Sequence, residues 1–178
     1  VSGARAVQVP LAAGGRHDVA AMAAAGPPLA RLVLLCTPNN PTGPVLHRDE
    51  VERFLDAVPS DVLVVVDEAY HEFVRDAGAV DGIEVYRNRP NVAVLRTFSK
   101  AYGLAGLRVG YALGSEDFRA AVDRVRQPFS VNKLAQAAGT EALKHQDNVA
   151  ERVSWNAVER LWMEEELREL GLDVADSQ

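Results

Sequence analysis

A chain of 178 residues is long enough for one domain with a full core and short for two. Its formal net charge of −6 argues against the basic face that nucleic-acid binding needs, and 48% apolar with 25% charged residues is an ordinary globular balance. No apolar run approaches the roughly 20 residues that span a bilayer, and Arg5, Pro10 and several glycines interrupt any signal-peptide core, so neither a membrane nor a secretory role is expected.

The single cysteine, Cys36, sits in an apolar run, has no internal disulfide partner and reads as a buried core thiol. A cytoplasmic protein is expected. Val1 opens without a methionine and Gln178 follows a strand-like Leu172 to Ala175, which together suggest a fragment.

In chain order, Ala6 to Val9 reads as a short strand and His17 to Ala25 as an alanine-rich helix ended by Gly26-Pro27-Pro28. Arg31 to Cys36 is a run of buried-strand type, followed by a loop with three prolines, Pro38, Pro41 and Pro44. Val51, Phe54, Leu55 and Val58 recur at i, i+3, i+4, i+7, which predicts an amphipathic helix over 49–58. Val62 to Val66 is a continuous aliphatic run ending in Asp67, the pattern of a strand buried on both faces of a parallel sheet.

Residues 75–90 read as polar and irregular, Val92 to Leu95 as a strand, and Val109 to Leu113 as another. Ser115 caps a helix running to about Arg126, and a further helix spans roughly Asn132 to His145. Residues 148–170 make the longest helical stretch. Val149, Val153, Ala157 and Leu161 line one side of it, and Trp155, Val158 and Trp162 a second. Strand alternating with helix predicts an α/β fold: a mostly parallel sheet flanked by helices, with a long C-terminal helix.

The chemistry concentrates in residues 96–111. The chain has only three lysines. Lys133 and Lys144 fall in polar helical stretches, whereas Lys100 falls where a strand gives way to a loop, beside Thr97 and Ser99. Strand ends facing a loop crevice are where open α/β sheets place their chemistry, and a lysine there can serve as a nucleophilic amine. Thr97, Ser99 and Arg108 offer a phosphate group hydroxyl donors and a forked cation.

Asn40 after one strand, Asp67 and Tyr70 after the next, and Lys100 after a third converge if those strands run parallel. Alone, Asp67 reads as a turn cap, Tyr70 as packing, Arg108 as a surface ion pair and Asn40-Pro41 as a turn. Together and in order they suit one ligand, pyridoxal phosphate. Lys100 would meet its aldehyde, Asp67 its ring nitrogen, Asn40 and Tyr70 its phenolic oxygen, and Thr97, Ser99 and Arg108 its phosphate. Glu68, His71, His17, His47 and His145 receive no role, and the last three read as surface residues.

Pro38-Asn39-Asn40-Pro41-Thr42-Gly43, Val66-Asp67-Glu68-Ala69-Tyr70 and Thr97-Phe98-Ser99-Lys100 with Arg108 resemble the signature segments of the class I/II aminotransferases, which are fold-type-I pyridoxal-phosphate enzymes. The likeness is greatest to the histidinol-phosphate aminotransferase subgroup with its aromatic-amino-acid relatives, and Gln127 to Asn132 strengthens it.

The resemblance implies that Lys100 forms the internal aldimine and then moves the substrate proton. It implies that Asp67 pairs with the pyridinium, that Asn40 and Tyr70 bond the phenolic oxygen, and that Ala69 packs under the ring. Thr97, Ser99 and Arg108 would anchor the phosphate, and Asn40–Pro41 would be cis. It further implies a homodimer that moves an amino group between an amino acid, histidinol phosphate or an aromatic one, and a 2-oxo acid such as 2-oxoglutarate, in amino-acid and specifically histidine biosynthesis.

On the same resemblance, residues 1–147 are part of the cofactor-binding large domain. Residues 148–178 are the connecting helix and the start of a small domain. The family's amino-terminal phosphate turn and its carboxylate-gripping arginine have no counterpart here. A pyridoxal-phosphate decarboxylase of phosphothreonine type is the alternative reaction. A Rossmann domain is disfavoured because Gly103, Gly106 and Gly110 miss the G-x-G-x-x-G spacing, and a cofactor-sensing regulator would carry a helix-turn-helix segment, which is not present in these residues.

Overall fold

The structure, a computed structural model, describes residues 3–26 and 30–178. Four strands form one sheet in the order β1 (Leu32–Cys36), β2 (Leu63–Asp67), β3 (Val92–Thr97), β4 (Gly110–Leu113). The first three run parallel, with Cys36 beside Asp67 and Asp67 beside Leu95, and β4 returns antiparallel with Thr97 opposite Gly110. The helices are α1 (Val19–Ala25), α2 (Arg48–Ala57), α3 (Gly82–Tyr86), α4 (Glu116–Val125), α5 (Lys133–Ala142) and α6 (Gln146–Glu169).

One sheet face carries the main core. Leu35, Val64, Val66, Val92 and Val94 pack against Val51, Phe54 and Leu55 of α2 and Val85 of α3, and Val19, Met22 and Ala23 of α1 close the edge. The helix termini follow their local chemistry. Asp18, Ser115 and Asn132 accept backbone N–H bonds at the starts of α1, α4 and α5, and Glu50 reaches back to the His47 N–H ahead of α2. A smaller core of Phe98, Val109 and Ala135 sits under α5.

Several expectations change. Ala6 to Val9 forms no strand with any described residue and runs as largely exposed coil, and Leu172 to Ala175 is likewise no strand. Residues 75–90 contain α3, whose start Asp81 caps by accepting from Ile83 N. β1 is not buried on both faces: Leu32 and Leu34 are 51% and 61% exposed, because no described segment lies over that side of this edge strand. On α6 the side bearing Val149, Val153 and Ala157 packs inward, but Leu161 is exposed with Trp155, Val158 and Trp162. Pro27 and Pro28 lie outside the described residues. Among the described residues no helix is long and apolar enough to cross a membrane.

Candidate active site

The parallel strands β1, β2 and β3 end on a common edge, and the expected residues gather there. Asp67 is the last residue of β2, half-buried, and its Oδ1 accepts from Ala69 N at 3.1 Å. That bond turns the chain so that Tyr70 follows into a short 3-10 segment, His71–Phe73. Asn40 stands in the loop after β1, where both Thr37–Pro38 and Asn40–Pro41 are cis, and its Nδ2 donates to the Tyr70 hydroxyl at 3.0 Å.

The lysine loop is held from below. Phe98, between the two hydroxyl residues, is buried and meets Tyr102 and Tyr111 at ring-centroid distances of 5.0 and 5.6 Å. Burying such a ring stabilises its segment by about 1.5–3 kcal/mol, which anchors Thr97 and Ser99 on either side. The backbone then closes a turn, with Gly103 N donating to Lys100 O at 2.9 Å and Leu104 N to Phe98 O at 2.9 Å. Gly103 takes a φ of +73°, where a side chain is disfavoured and where a Cβ would stand 3.0 Å from Arg152 Nη1. Arg152, reaching in from α6, donates to Ala101 O at 3.1 Å.

Asp67, Ala69, Leu95, Arg96, Thr97, Ser99, Lys100 and Arg108 line one open groove of about 280 Å³. Ser99 N donates to Thr97 Oγ1, and the exposed Arg108 holds a left-handed φ of 52°, uncommon for a residue with a side chain, with Nη1 donating to Ala105 O. A second cavity of about 300 Å³ is lined among others by Asn40, Pro41, Tyr70, Phe73 and Asn156. Tyr70 joins the two, because Lys100 Nζ stands over its ring. Neither other lysine is near: Lys133 opens α5, and Lys144 pairs with Glu141 at 2.8 Å.

Behind the groove is a network that the sequence reading assigned no role. Glu68, 1% exposed, accepts from Gly82 N at 2.6 Å and from Arg96 Nε at 2.9 Å. Arg96 Nη2 lies 2.8 Å from Glu68 and 3.1 Å from Asp81, and His71 Nδ1 lies 3.8 Å from Glu68. Burial pushes the Glu68 carboxyl up, opposed by the Gly82 N–H and by Arg96. Losing one partner of such a buried pair typically costs about 3–5 kcal/mol, because the other charge is stranded. The available signal was alternation: residues flanking Asp67 and Thr97 must point to the opposite face of the sheet.

Two further readings are corrected. His17 is not a surface residue: it is half-buried beneath the β1 end, where its Nε2 accepts from Cys36 N at 3.4 Å, and burial holds its imidazole low. Cys36 is only half-buried, and its thiol donates to Pro38 O at 3.4 Å. His47 bridges to Asp76 at 2.8 Å, and His145 lies exposed beside Glu141. Among the described residues no group of three or more His, Cys, Asp or Glu is arranged to hold a metal ion.

The family model for aminotransferase class I and II matches residues 1–178. An aromatic amino acid aminotransferase of Streptomyces coelicolor is 55% identical over 178 residues, covering all of this chain and 50% of that protein. A histidinol-phosphate aminotransferase from Sinorhizobium meliloti, solved in complex with pyridoxal-5'-phosphate, superposes with a TM-score of 0.90 at 38% identity, over 97% of this chain and 47% of that one. An L-threonine-O-3-phosphate decarboxylase from Porphyromonas gingivalis gives 0.60 at 33% identity over 67% of this chain and 36% of that one. The chain spans about half the length of the curated relatives it matches.

Proposed function

The chain belongs to the class I and II aminotransferases, and we propose that it is the part of such an enzyme that holds pyridoxal phosphate and carries its proton-transfer base. The observation that carries the reading is the convergence on neighbouring strand ends of Asp67 and Lys100 in one groove and of the Asn40–Tyr70 pair in the adjoining cavity, which the Tyr70 ring under Lys100 joins to it. The donor set fits the cofactor: a carboxylate for a ring nitrogen, an amide and a phenol for a phenolic oxygen, and two hydroxyls with a guanidinium for a phosphate. When bound, the cofactor supplies a protonated ring that takes up the electron pair left as the substrate's Cα–H bond breaks.

Each residue has its part. Lys100 would hold the cofactor covalently through Nζ and, as a free amine, would take the proton from the substrate's Cα. Asp67 keeps the ring nitrogen protonated by standing beside it as a fixed negative charge. Asn40 and Tyr70 orient the ring, while Thr97, Ser99 and Arg108 anchor the phosphate end. Residues 1–147 act as the cofactor domain, and α6 with the residues after it leads toward the rest of a homodimeric enzyme.

The amino donor is proposed to be an aromatic amino acid and the acceptor a 2-oxo acid such as 2-oxoglutarate, on the strength of the 55% identity to the Streptomyces protein. Histidinol phosphate, and with it histidine biosynthesis, is the second choice, resting on the Sinorhizobium structure at 38%. Decarboxylation of a phosphothreonine-type substrate has less support, since that likeness extends over only 67% of the chain.

The test is borohydride reduction of the loaded full-length enzyme, followed by peptide mapping. Cofactor mass on Lys100 supports the reading, and cofactor mass on Lys133 or Lys144 refutes it. Comparing kcat/KM for an aromatic amino acid and for histidinol phosphate decides the donor.

A further inference from the structure

We infer that Glu68 and Arg96 are positioning residues, whose buried ion pair behind the sheet fixes the ends of β2 and β3 at the spacing the groove requires. The inference rests on the reading of that groove as a pyridoxal-phosphate site.

The last backbone tie between the two strands is Glu68 N to Leu95 O at 2.9 Å. Beyond it the chains part, β2 into the Tyr70 turn and β3 into the Lys100 loop. The β2–β3 ladder therefore ends at Asp67 and Leu95, and no backbone bond from β2 reaches Ser99 or Lys100. The ion pair sits where that ladder ends. Glu68 follows Asp67 and Arg96 precedes Thr97, so alternation turns the two charged groups toward α3, where they meet, while Arg96 also borders the groove that Asp67 and Thr97 line.

The pair is also oriented rather than merely close. Arg96 Nε donates to Glu68 Oε2 at 2.9 Å, with Nη2 2.8 Å from the same oxygen and donating to Asp81 Oδ1 at 3.1 Å, so the guanidinium is held from two sides. Gly82 N fixes the other carboxylate oxygen at 2.6 Å, and Asp81 holds Arg96 from the start of α3. A Cβ on Gly82 would stand 3.0 Å from Glu68 Oε1, so the close approach depends on glycine there. Two apolar side chains could fill the same volume but would not set a direction between the strand ends.

A purely structural pair would lower thermal stability and leave the folded protein's ligand properties alone. A positioning pair also changes how the folded protein holds the cofactor. The variants are Glu68→Gln, Arg96→Met, Arg96→Lys and the double Glu68→Gln/Arg96→Met, in the full-length enzyme, all measured at a temperature where circular dichroism shows them folded. Readouts are the Kd for pyridoxal phosphate added to apoenzyme, kcat and KM for the amino donor, and the melting midpoint without cofactor.

The expected result is a Kd weakened about tenfold in each single variant, the scale seen on losing an outer-layer partner of a bound group. A comparable fall in kcat should accompany it, with KM within about twofold. Arg96→Lys should recover only part of the loss, because an amine lacks the guanidinium fork. The double variant should be no worse than the worse single, since no charge is stranded.

A lowered melting midpoint with Kd and kcat within about twofold of wild type overturns the inference. If Arg96→Met does not fold, Arg96→Lys is judged by the same criterion. Lys100→Ala separates the two levels of the argument. If it leaves the absorption band of bound pyridoxal phosphate unchanged, the reading of the groove fails and takes this inference with it. If it abolishes the band while the pair's variants bind normally, only the positioning role fails.

Discussion

The Nζ of Lys100 lies 5.0 Å from the centroid of the Tyr70 ring, and the hydroxyl of the same ring is 3.0 Å from Asn40 Nδ2. One tyrosine therefore joins the loops that follow three successive parallel strands. The ring face supports the amine, and the hydroxyl fixes the amide of the loop after β1. The two contacts can be separated by substitution. Tyr70→Phe removes the hydroxyl alone, and a net hydrogen bond of about 0.5–1.5 kcal/mol predicts a Kd for pyridoxal phosphate weakened by roughly 2- to 12-fold. Tyr70→Ala also removes the ring beneath the cation, worth about 0.5–1 kcal/mol at an exposed site, and should bind several-fold more weakly again. Fluorescence titration of the apoenzyme checks both, and equal losses in the two variants would deny the ring any part.

Asp67→Ala in the full-length enzyme should still take a borohydride-fixed cofactor on Lys100 while losing on the order of 10²-fold or more in kcat, because a positioned charge next to the ring is removed. Its effect on KM should be small. Near-normal turnover in this variant would refute the role given to Asp67.

His17 and Glu72 should pull the pH dependence of stability in opposite directions. Burial lowers the folded-state pKa of His17 below its ordinary 6.5, so its contribution is present above pH 6.5 and is lost as pH falls through the folded value. Burial raises that of Glu72 above 4.5, and its Oε2 has no hydrogen-bond partner among the described residues. Its contribution is full below pH 4.5 and is lost as pH rises through the folded value. His17→Gln should therefore make stability fall less as the medium is acidified below pH 6.5. Glu72→Gln should raise the melting midpoint at neutral pH, by about 2–4 °C for each 1 kcal/mol relieved in a chain of this size. Midpoints by circular dichroism from pH 4 to 8 test both, and parallel shifts in the two variants would contradict the assignment.

Trp155 is 70% exposed and Trp162 is 52% exposed, and with Val158 and Leu161 they leave one side of α6 apolar and uncovered among the described residues. Patches of this kind drive association. The 178-residue chain should accordingly self-associate in sedimentation at micromolar concentration, and Trp155→Gln/Trp162→Gln should shift it toward monomer without lowering helix content. A monomeric unsubstituted chain would show that this face needs no cover.

The parts of this protein legible in its sequence are those written by local rules. The unbroken aliphatic run before Asp67 announced a parallel interior strand, the i, i+3, i+4, i+7 spacing from Val51 announced α2, and Ser115 and Asn132 marked the starts of α4 and α5. The groove residues were legible for the same reason. Each lies within a few residues of a strand end, and parallel strands must deliver those ends to one edge.

What only the tertiary structure decided depends on partners distant in the chain. Ala6 to Val9 has strand composition but, among the described residues, no ladder partner, and it runs as coil. The helix Gly82–Tyr86 forms in a polar stretch because Asp81 caps it and Gly82 N finds Glu68 fourteen residues earlier. His17 looked like a surface residue until the end of β1 folded over it, and Glu68 looked idle until Arg96 met it across the sheet. Periodicity says which way a side chain points along its own element. It does not say which charge waits on the next one, and a buried charge is set by that partner.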